Sequence, residues 1–512
     1  MKRDGATISL WQQNMPDYNA KIISLGKNYI YDVVIVGGGI TGLTTALELQ
    51  KAGKNVFLAE AHTIGFGTSG GTTAHLNDML DASYDKIIKD FGDDNAKLVA
   101  KGCREAIGLI KDNISTYSIS CDFSDQKGFL FSQDEKQSKE LDSILDASLK
   151  AGVSIKNSTT IPVPIPFEKA LVFENQAQFH PAKYLYGLAK AFEETGGTLL
   201  QNCRVTGVDE KEEILNVSTS LGAILAKNLV YATHVPPGVN LLHFRCAPYR
   251  SYAMAVKLKN DEYPDALVYD MHDPYHYYRT QIIDDEQYLI AGGEDHKTAH
   301  EENTEMCFTK LESYVRQHFN VEKITFKWSS QFYEPTDGLP YIGHLPGSPK
   351  NVFVATGFSG NGMTLGSLSG KILKDLIVNG SSEFEKLYSP SRVKPIAGFT
   401  NFVKEAADVT GEFIGKWFSH KKMESLVELA PDEAKIVTYE GHSMALYKDK
   451  SGNVHAVNPA CTHIKCSVAF NNSEKSWDCP CHGSRFSIDG EVLTAPARKN
   501  LELIDLKELF EE

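Results

Sequence analysis

Near its C-terminal end the chain places one cysteine and one histidine on each of two short stretches, Cys461-Thr462-His463 and Cys479-Pro480-Cys481-His482, spaced C-x-H-x15-C-x-x-H. Two thiolates can hold one iron of a two-iron cluster and two neutral imidazoles the other, which raises the potential relative to an all-cysteine site. The same four donors can hold a tetrahedral zinc ion, so the spacing alone leaves both readings open. Cysteine use supports a metal of some kind. Cys103, Cys121, Cys203, Cys246 and Cys307 are scattered singly and read as small core residues, whereas Cys461, Cys466, Cys479 and Cys481 crowd together. After Glu424 short strands and turns prevail, as in a small β domain.

The other end of the chain reads differently. Tyr31 to Val36 is a buried-strand run, Ile40 to Ala52 an apolar-periodic helix ending before Gly53, and Val56 to Glu60 a second strand. Between the first strand and its helix stands Gly37-Gly38-Gly39-Ile40-Thr41-Gly42, a G-x-G-x-x-G in strand–helix context. Gly37 permits the tight turn, Gly39 lets the backbone approach a pyrophosphate and Gly42 permits close helix–strand packing. The helix N-terminus offers free N–H groups to the phosphates, and Glu60 is placed to accept hydrogen bonds from a ribose. Helices are expected around Tyr84 to Thr116, Glu135 to Ala151 and Pro181 to Thr195, and a strand at Gly128 to Ser132. Strand patterns dominate from Ala170 to about Ala291. A last buried strand, Val352 to Ala355, leads through a Gly-rich loop into a helix at Thr364 to Val378.

A length of 512 residues suggests about three domains. The formal charge of −14 leaves no excess of Lys or Arg to neutralise phosphates, which argues against nucleic acid as a partner. Met1 to Ala20 has no apolar signal region, and no apolar run approaches the roughly 18 residues that cross a bilayer. A cytoplasmic protein that is not transmembrane is expected. Ser and Pro interrupt the pattern from Ser381 to Pro395, where the main domain boundary is placed. Phe399 to Phe418 then carries one apolar, aromatic-rich stripe at helical spacing, suited to docking on its own protein and also able to touch a membrane surface or partner.

From Gly37 to about residue 380 the sequence resembles the D-amino-acid oxidase superfamily of flavoproteins. The resemblance rests on Gly65-Phe66-Gly67-Thr68-Ser69-Gly70, similar to that family's flavin-contacting segment, and on Pro335-Thr336-Asp337-Gly338-Leu339-Pro340-Tyr341-Ile342-Gly343, its late "DGLPxIG" element. It rests also on Gly357-Phe358-Ser359-Gly360-Asn361-Gly362-Met363-Thr364, similar to the loop that covers the isoalloxazine. It implies FAD, with contacts from Gly37, Gly39, Gly42, Glu60, Thr68, Ser69, Asp337, Gly338, Gly360, Gly362, Met363 and Thr364. A helix opening at Thr364 can set its positive end against the flavin edge where negative charge gathers on reduction. Only one G-x-G-x-x-G occurs in strand–helix context, so a reductase with a second, pyridine-nucleotide unit is disfavoured. Members of the superfamily typically oxidise a C–N bond and often hold a substrate carboxylate with Arg and Tyr. Tyr277 and Arg279 would share one face of a strand, and Arg250 and Tyr252 repeat that spacing on a neighbouring one. These four are the catalytic candidates.

Roughly Leu426 to Ile504 resembles the Rieske proteins of cytochrome bc complexes, through Cys461-Thr462-His463-Ile464-Lys465-Cys466, Cys479-Pro480-Cys481-His482-Gly483-Ser484 and the proline loop Ala495-Pro496-Ala497. The resemblance decides against zinc. It implies a [2Fe–2S] cluster on Cys461, His463, Cys479 and His482, a disulfide between Cys466 and Cys481, and a cluster hydrogen bond from Ser484. Lys465 stands where Gly is usual, and Phe486 where respiratory members commonly place a Tyr that bonds a ligand sulfur. Losing that donor should lower the potential. The disulfide is at odds with a reducing cytosol, although shielding over a cluster could preserve it.

The expected fold is therefore a Rossmann-type α/β FAD-binding domain with an interleaved mixed-sheet substrate domain (1–385), a linker with the amphipathic helix (386–423) and an all-β Rieske domain (424–512). The expected function is oxidation of a small amine or amino acid by hydride transfer to FAD. Electrons then leave singly through the cluster to an unknown acceptor. The alternatives are the reverse flow from an external donor, and a redox sensor or scaffold without turnover.

Overall fold

Strands buried on both faces belong inside parallel sheets, and Ile30–Val36 behaves so. Its alternate residues enter two different cores. Val33 and Ile35 pack with Leu43 and Leu47 of the following helix, while Val34 and Val36 pack with Leu215 and Val217 of a strand pair on the other side. The strand lies in parallel between Gly222–Tyr231 and Val56–Ala59. The eight-stranded sheet runs Tyr341–His344, Val352–Thr356, Gly222–Tyr231, Ile30–Val36, Val56–Ala59, Thr198–Leu200, with Ile214–Thr219 and Val205–Lys211 appended by antiparallel pairing. The computed structural model describes residues 1–21, 29–392, 421–422, 429–439 and 441–506. The amphipathic stripe at 399–418, and with it the suggested membrane contact, lies outside them.

Two helices converge on one face of this sheet. Ile40–Lys51 packs against Gly362–Asn379 through a glycine stripe: a Cβ on Gly366 would sit 2.7 Å from Thr41 Oγ1, and one on Gly370 2.7 Å from Thr44 Cγ2. That close approach carries both N-termini to the same cavity. The second helix starts two residues earlier than the sequence pattern suggests. The single helical stretch expected over Tyr84 to Thr116 is two helices, Tyr84–Phe91 and Asp93–Thr116, broken at Gly92 with φ +87°.

The second sheet has nine strands, in the order Val321–Pro335, Cys246–Leu258, Glu286–Lys297, Tyr277–Ile283, Leu267–Asp270, Ser124–Ser132, Lys169–Gln178, His75–Leu76, with Ile155–Ser158 also on Lys169–Gln178. One face is covered by the helix Thr304–His318 through Cys307, Phe308, Leu311 and Val315. Part of the opposite face roofs the cavity. The C-terminal part forms two four-stranded sheets around a core of Val457, Val468, Trp477, Phe486 and the four clustered cysteines.

This C-terminal head is fixed to the larger part by buried charge. Arg485 Nη1 donates to Asp4 Oδ2 at 2.7 Å and its Nε to Asp478 Oδ1 at 3.2 Å. Arg250 lies 3.8 Å from Glu474 and 3.7 Å from Asp478 and donates to Ser329 Oγ at 2.7 Å, which in turn donates to Glu474 Oε1 at 2.5 Å. Arg3 donates to Ser329 O at 2.8 Å, and Ala6 N to Glu474 Oε2 at 2.9 Å. Arg3, Arg250 and Arg485 thus face Asp4, Glu474 and Asp478, three cations and three anions, all buried. Burial would raise the Asp478 carboxyl, but Arg485 and Arg250 overcome it and hold it below its ordinary value. The stability this supplies is complete above the unfolded carboxylate value of roughly 4. It is lost as pH falls through the lower folded value.

Removing one partner strands an uncompensated charge. Asp4→Ala is expected to cost about 3–5 kcal/mol, read as a lowered denaturation midpoint. A loss below about 1 kcal/mol would mean that the network behaves like a surface pair and does not hold the head.

Candidate functional site

The glycine turn opens a cavity of about 1110 Å³ that runs from Gly37, Gly38 and Gly39 to the nine-stranded sheet. Its entrance is a backbone cradle. Gly37 has φ +113°, and a Cβ there would fall 2.5 Å from Ala232 O; one on Gly39 would fall 2.9 Å from Ser69 Oγ. Gly42 does not line the cavity but packs against the turn, where a Cβ would stand 1.9 Å from Gly37 O. Glu60 accepts from Gly38 N at 2.6 Å and from His62 N at 2.8 Å. Its carboxyl is raised by burial against the opposing hydrogen bonds of His62 and Gly38. Ser69 Oγ accepts from Ile40 N at 3.1 Å and Thr68 Oγ1 donates to Gln331 O at 2.7 Å. A crevice that only bare backbone can line, at the N-terminus of a helix and beside a buried acid, fits a dinucleotide.

At the far end Asp337, Gly338, Gly360, Gly362 and Met363 line the cavity as expected, and the side chains of Asp337 and Thr364 are bonded within the protein. Asp337 is held by Arg392, whose Nη2 and Nε donate to its two oxygens at 2.7 and 2.8 Å. The Thr364 side chain is fully buried and accepts from Asn77 N at 3.2 Å. The helix begins at Gly362, so the first-turn N–H groups of Gly362, Met363 and Thr364 have no intrahelical acceptor. Gly360 N donates to Asp81 Oδ2 at 2.6 Å, which ties this loop to the opposite wall.

Three of the four catalytic candidates are not at the cavity. Arg250 and Tyr252 project from the helix-covered face of Cys246–Leu258, whereas the intervening Ser251 and Ala253 line the cavity. Side chains alternate along a strand, so choosing the even positions there chose the wrong face. Arg250 belongs to the buried ionic network, and Tyr252 donates to or accepts from His296 Nε2 at 2.9 Å. Arg279 does share a face with Tyr277, but it lies one step further along and is spent on carbonyls. Its Nη1 donates to Thr73 O and Ala74 O, both at 2.9 Å, and its guanidinium lies over the Trp11 ring. Tyr277 alone lines the cavity, with its hydroxyl 3.0 Å from Ser251 Oγ.

Tyr277 belongs to an acidic and aromatic wall whose other members, Asp81, Asp295, Tyr269 and Tyr275, sequence reading did not single out. Asp81 and the Tyr275 hydroxyl converge over Gly360, where a Cβ would lie 3.0 Å from Asp81 Oδ2 and 3.2 Å from Tyr275 Oη. Burial pushes Asp295 up to about 8, with Asp81 and Glu334 adding repulsion against a Ser251 hydrogen bond. Asp81 opens onto the cavity, and desolvation by the surrounding walls raises it, partly offset by the Gly360 N–H. No local motif marks these acids, because they meet only when separate strands and a loop fold together.

In the head, Cys466 and Cys481 form the disulfide, and Cys461 and Cys479 remain free with their sulfurs in hydrogen-bond contact. Cys479 Sγ is within 4.8 Å of both bridged sulfurs, but those offer no thiolate, which leaves Cys461, Cys479 and two histidines as donors. His463 and His482 have ring centroids 5.0 Å apart, and all four of their ring nitrogens are buried without a hydrogen-bond partner. Leaving such groups unpaired costs about 1–3 kcal/mol each, a cost that metal ligation removes. Burial pushes His463 down to about 4, and burial with neighbouring His463 and His243 pushes His482 down to about 3, so both are neutral, the form that binds metal. Ser484 Oγ accepts from Ala497 N at 3.0 Å and also reaches Cys461. Lys465 adopts φ +69°, the left-handed backbone that Gly would take without strain.

A flavin cavity and a cysteine–histidine cluster site in one chain define a two-cofactor redox protein. A family model described as FAD dependent oxidoreductase matches residues 32–376, and one described as Rieske [2Fe-2S] domain matches 419–505. The chain belongs to the FAD dependent oxidoreductase family and carries a Rieske domain, so its cofactors are FAD and a [2Fe–2S] cluster. It is 33% identical over 477 residues to the Rieske 2Fe-2S iron-sulfur protein YhfW of Bacillus subtilis (strain 168), covering 93% of each chain. It is 26% identical over 378 residues to gamma-glutamylputrescine oxidoreductase of Escherichia coli (strain K12), covering 71% of this chain and 87% of that one. Among solved structures, glycine oxidase from Geobacillus kaustophilus shares the fold of the larger part at TM-score 0.61 and 18% identity, covering 72% of this chain and 100% of that one. Among the described residues no helix is long and apolar enough to cross a membrane.

Phe486 is fully buried in the core that holds Cys461 and Cys479, so no hydroxyl reaches a sulfur from that position. Phe486→Tyr is expected to raise the cluster midpoint. A hydrogen bond worth about 1–1.5 kcal/mol to the reduced form corresponds to roughly 40–60 mV for one electron. Redox titration of the two proteins checks this, and an unchanged or lower value in the variant refutes it.

Proposed function

We propose that the chain oxidises a small amine at the flavin cavity and hands the electrons, one at a time, through a cluster ligated by Cys461, His463, Cys479 and His482 to an external acceptor. The observation that carries this reading is a shared wall. The cavity that opens at Gly37 and Gly39 is also lined by Thr494, Ala495, Ala497 and Arg498 of the Rieske domain. When bound, FAD supplies two-electron acceptance from a substrate carbon and the cluster supplies one-electron exchange.

The protein's own residues then account for the substrate. An amino acid needs a cation for its carboxylate; Arg250 and Arg279 are engaged elsewhere, and of the arginines that do line the cavity Arg204 donates to Val492 O and Arg498 to Pro237 O. An ammonium group needs an anion and aromatic faces, which Asp81, Asp295, Tyr269, Tyr275 and Tyr277 offer. The reading therefore favours an amine over an amino acid.

Rapid mixing of the holoenzyme with members of an amine panel should bleach flavin first and reduce the cluster second. A cluster that stays oxidised while flavin is reduced removes the relay.

With a cationic amine, kcat/KM should rise with pH through about 8 as Asp295 ionises. Asp295→Asn should flatten that limb and raise KM roughly tenfold or more, the worth of one charge-assisted hydrogen bond. A variant with the wild-type profile would remove Asp295 from substrate binding.

A further inference from the structure

The Rieske head is seated with both candidate imidazole ligands turned into the flavoprotein part. His243 stands edge-on to His463 with ring centroids 4.7 Å apart and lies 5.7 Å from His482, while Phe244 is edge-on to His482 at 5.3 Å. The segment bearing them is stitched to the proline loop. Gly238 N donates to Pro496 O at 2.9 Å, and Arg498 Nη2 donates to Pro237 O at 2.9 Å. Elsewhere on the same interface Thr304 Oγ1 donates to Asn471 Oδ1 at 2.9 Å, beside the buried six-charge network. Swinging the head away would break all of these at once.

On the cavity side two residues of one strand, Gln331 and Tyr333, touch both sites. Tyr333 lines the cavity, and its ring stands edge-on to His234 at 4.7 Å. His234 Nδ1 is 3.2 Å from Thr68 Oγ1. At its other end the Tyr333 hydroxyl donates to His482 O at 3.1 Å, and Gln331 Nε2, two residues away on the same strand, donates to Gly483 O at 2.9 Å. Gly483 makes the approach feasible: its φ is +72°, and a Cβ there would fall 2.6 Å from Pro248 Cβ and 2.7 Å from Tyr333 Oη.

We infer that the head works from this docked position without swinging, and that Tyr333 is the positioning residue that couples the flavin cavity to the His482 loop. The inference rests on the relay proposed above. Each crossing takes one electron from reduced flavin and turns one ferric iron ferrous. No bond to Tyr333 forms or breaks, and its proton stays in place.

Flash photoreduction of the holoenzyme's flavin with deazariboflavin, followed at flavin and cluster wavelengths, reads the crossing rate without any substrate and in whichever direction electrons run physiologically. The wild-type rate should not change as glycerol raises viscosity. Tyr333→Phe should slow crossing several-fold and Tyr333→Leu about tenfold or more, at matched flavin and iron content. In the Phe variant the cluster's electron paramagnetic resonance spectrum should stay as in wild type, whereas a merely structural role would lower the melting temperature of both variants and spare the rate. A rate that falls in proportion to viscosity, or a Leu variant that crosses as fast as wild type, overturns the docked route. If the Leu variant does not fold, the viscosity series and the Phe variant still decide. Absence of any crossing in wild type overturns the relay itself. Normal crossing in a protein that no amine reduces overturns only the substrate reading and leaves the docked route standing.

Discussion

The placement of both cofactor sites depends on a buried set of charges that sums to zero. Arg3, Arg250, Arg485, Asp4, Glu474 and Asp478 come from the N-terminal segment, the nine-stranded sheet and the Rieske head. Each ion taken singly out of water costs several kcal/mol, and mutual attraction repays this only when geometry and hydrogen bonds are good. Such a network is weak evidence for stability but a strong constraint on register, because any slip leaves a charge unpaired. Undocking would separate these ions together with the hydrogen bonds from Gly238 to Pro496, from Arg498 to Pro237 and from Thr304 to Asn471. The head is thus part of the same rigid body as the flavin cavity.

The same strands that carry the network also build the cavity. On Cys246–Leu258, Arg250 faces the ionic side while Ser251 and Ala253 face the cavity. On Val321–Pro335, Ser329 belongs to the network, and Gln331 and Tyr333, two and four residues on, reach both the cavity and the Rieske loops. The two-residue period of a strand is therefore sufficient to couple docking to the flavin site. No flexible linker has to position one against the other.

This explains which parts of the protein were legible in the sequence. The glycine turn, Glu60, the loop at Gly360 to Met363 and the cysteine–histidine spacing are local patterns whose chemistry is fixed by residues within a few positions of each other. The disulfide partners could be named from a resemblance, and Cys466 and Cys481 are bonded. Arg250, Tyr252 and Arg279 misled because a strand's spacing tells which residues share a face but not which face meets the cavity. Asp337 was placed at the cavity by its motif and does line it, but its carboxylate is satisfied by Arg392, a partner 55 residues away that no local pattern announces. Asp81, Asp295 and Tyr333 carried no signal at all. Each gains its meaning from long-range packing, and a lone Asp or Tyr on a strand is ordinarily just a polar residue at a sheet surface.

The proline loop meets both sites. Ala497 N donates to Ser484 Oγ, which reaches Cys461; Pro496 O accepts from Gly238 N; and Ala495, Ala497 and Arg498 line the flavin cavity. One short segment therefore sets the hydrogen bonding of a cluster sulfur, anchors the cover over the cluster histidines and forms part of the flavin wall. Hydrogen bonds to sulfur tune a cluster's potential. A displacement of this segment at the flavin wall must then be felt at Ser484. The same short segment thus borders both the hydrogen-bond partner of a cluster sulfur and the flavin cavity.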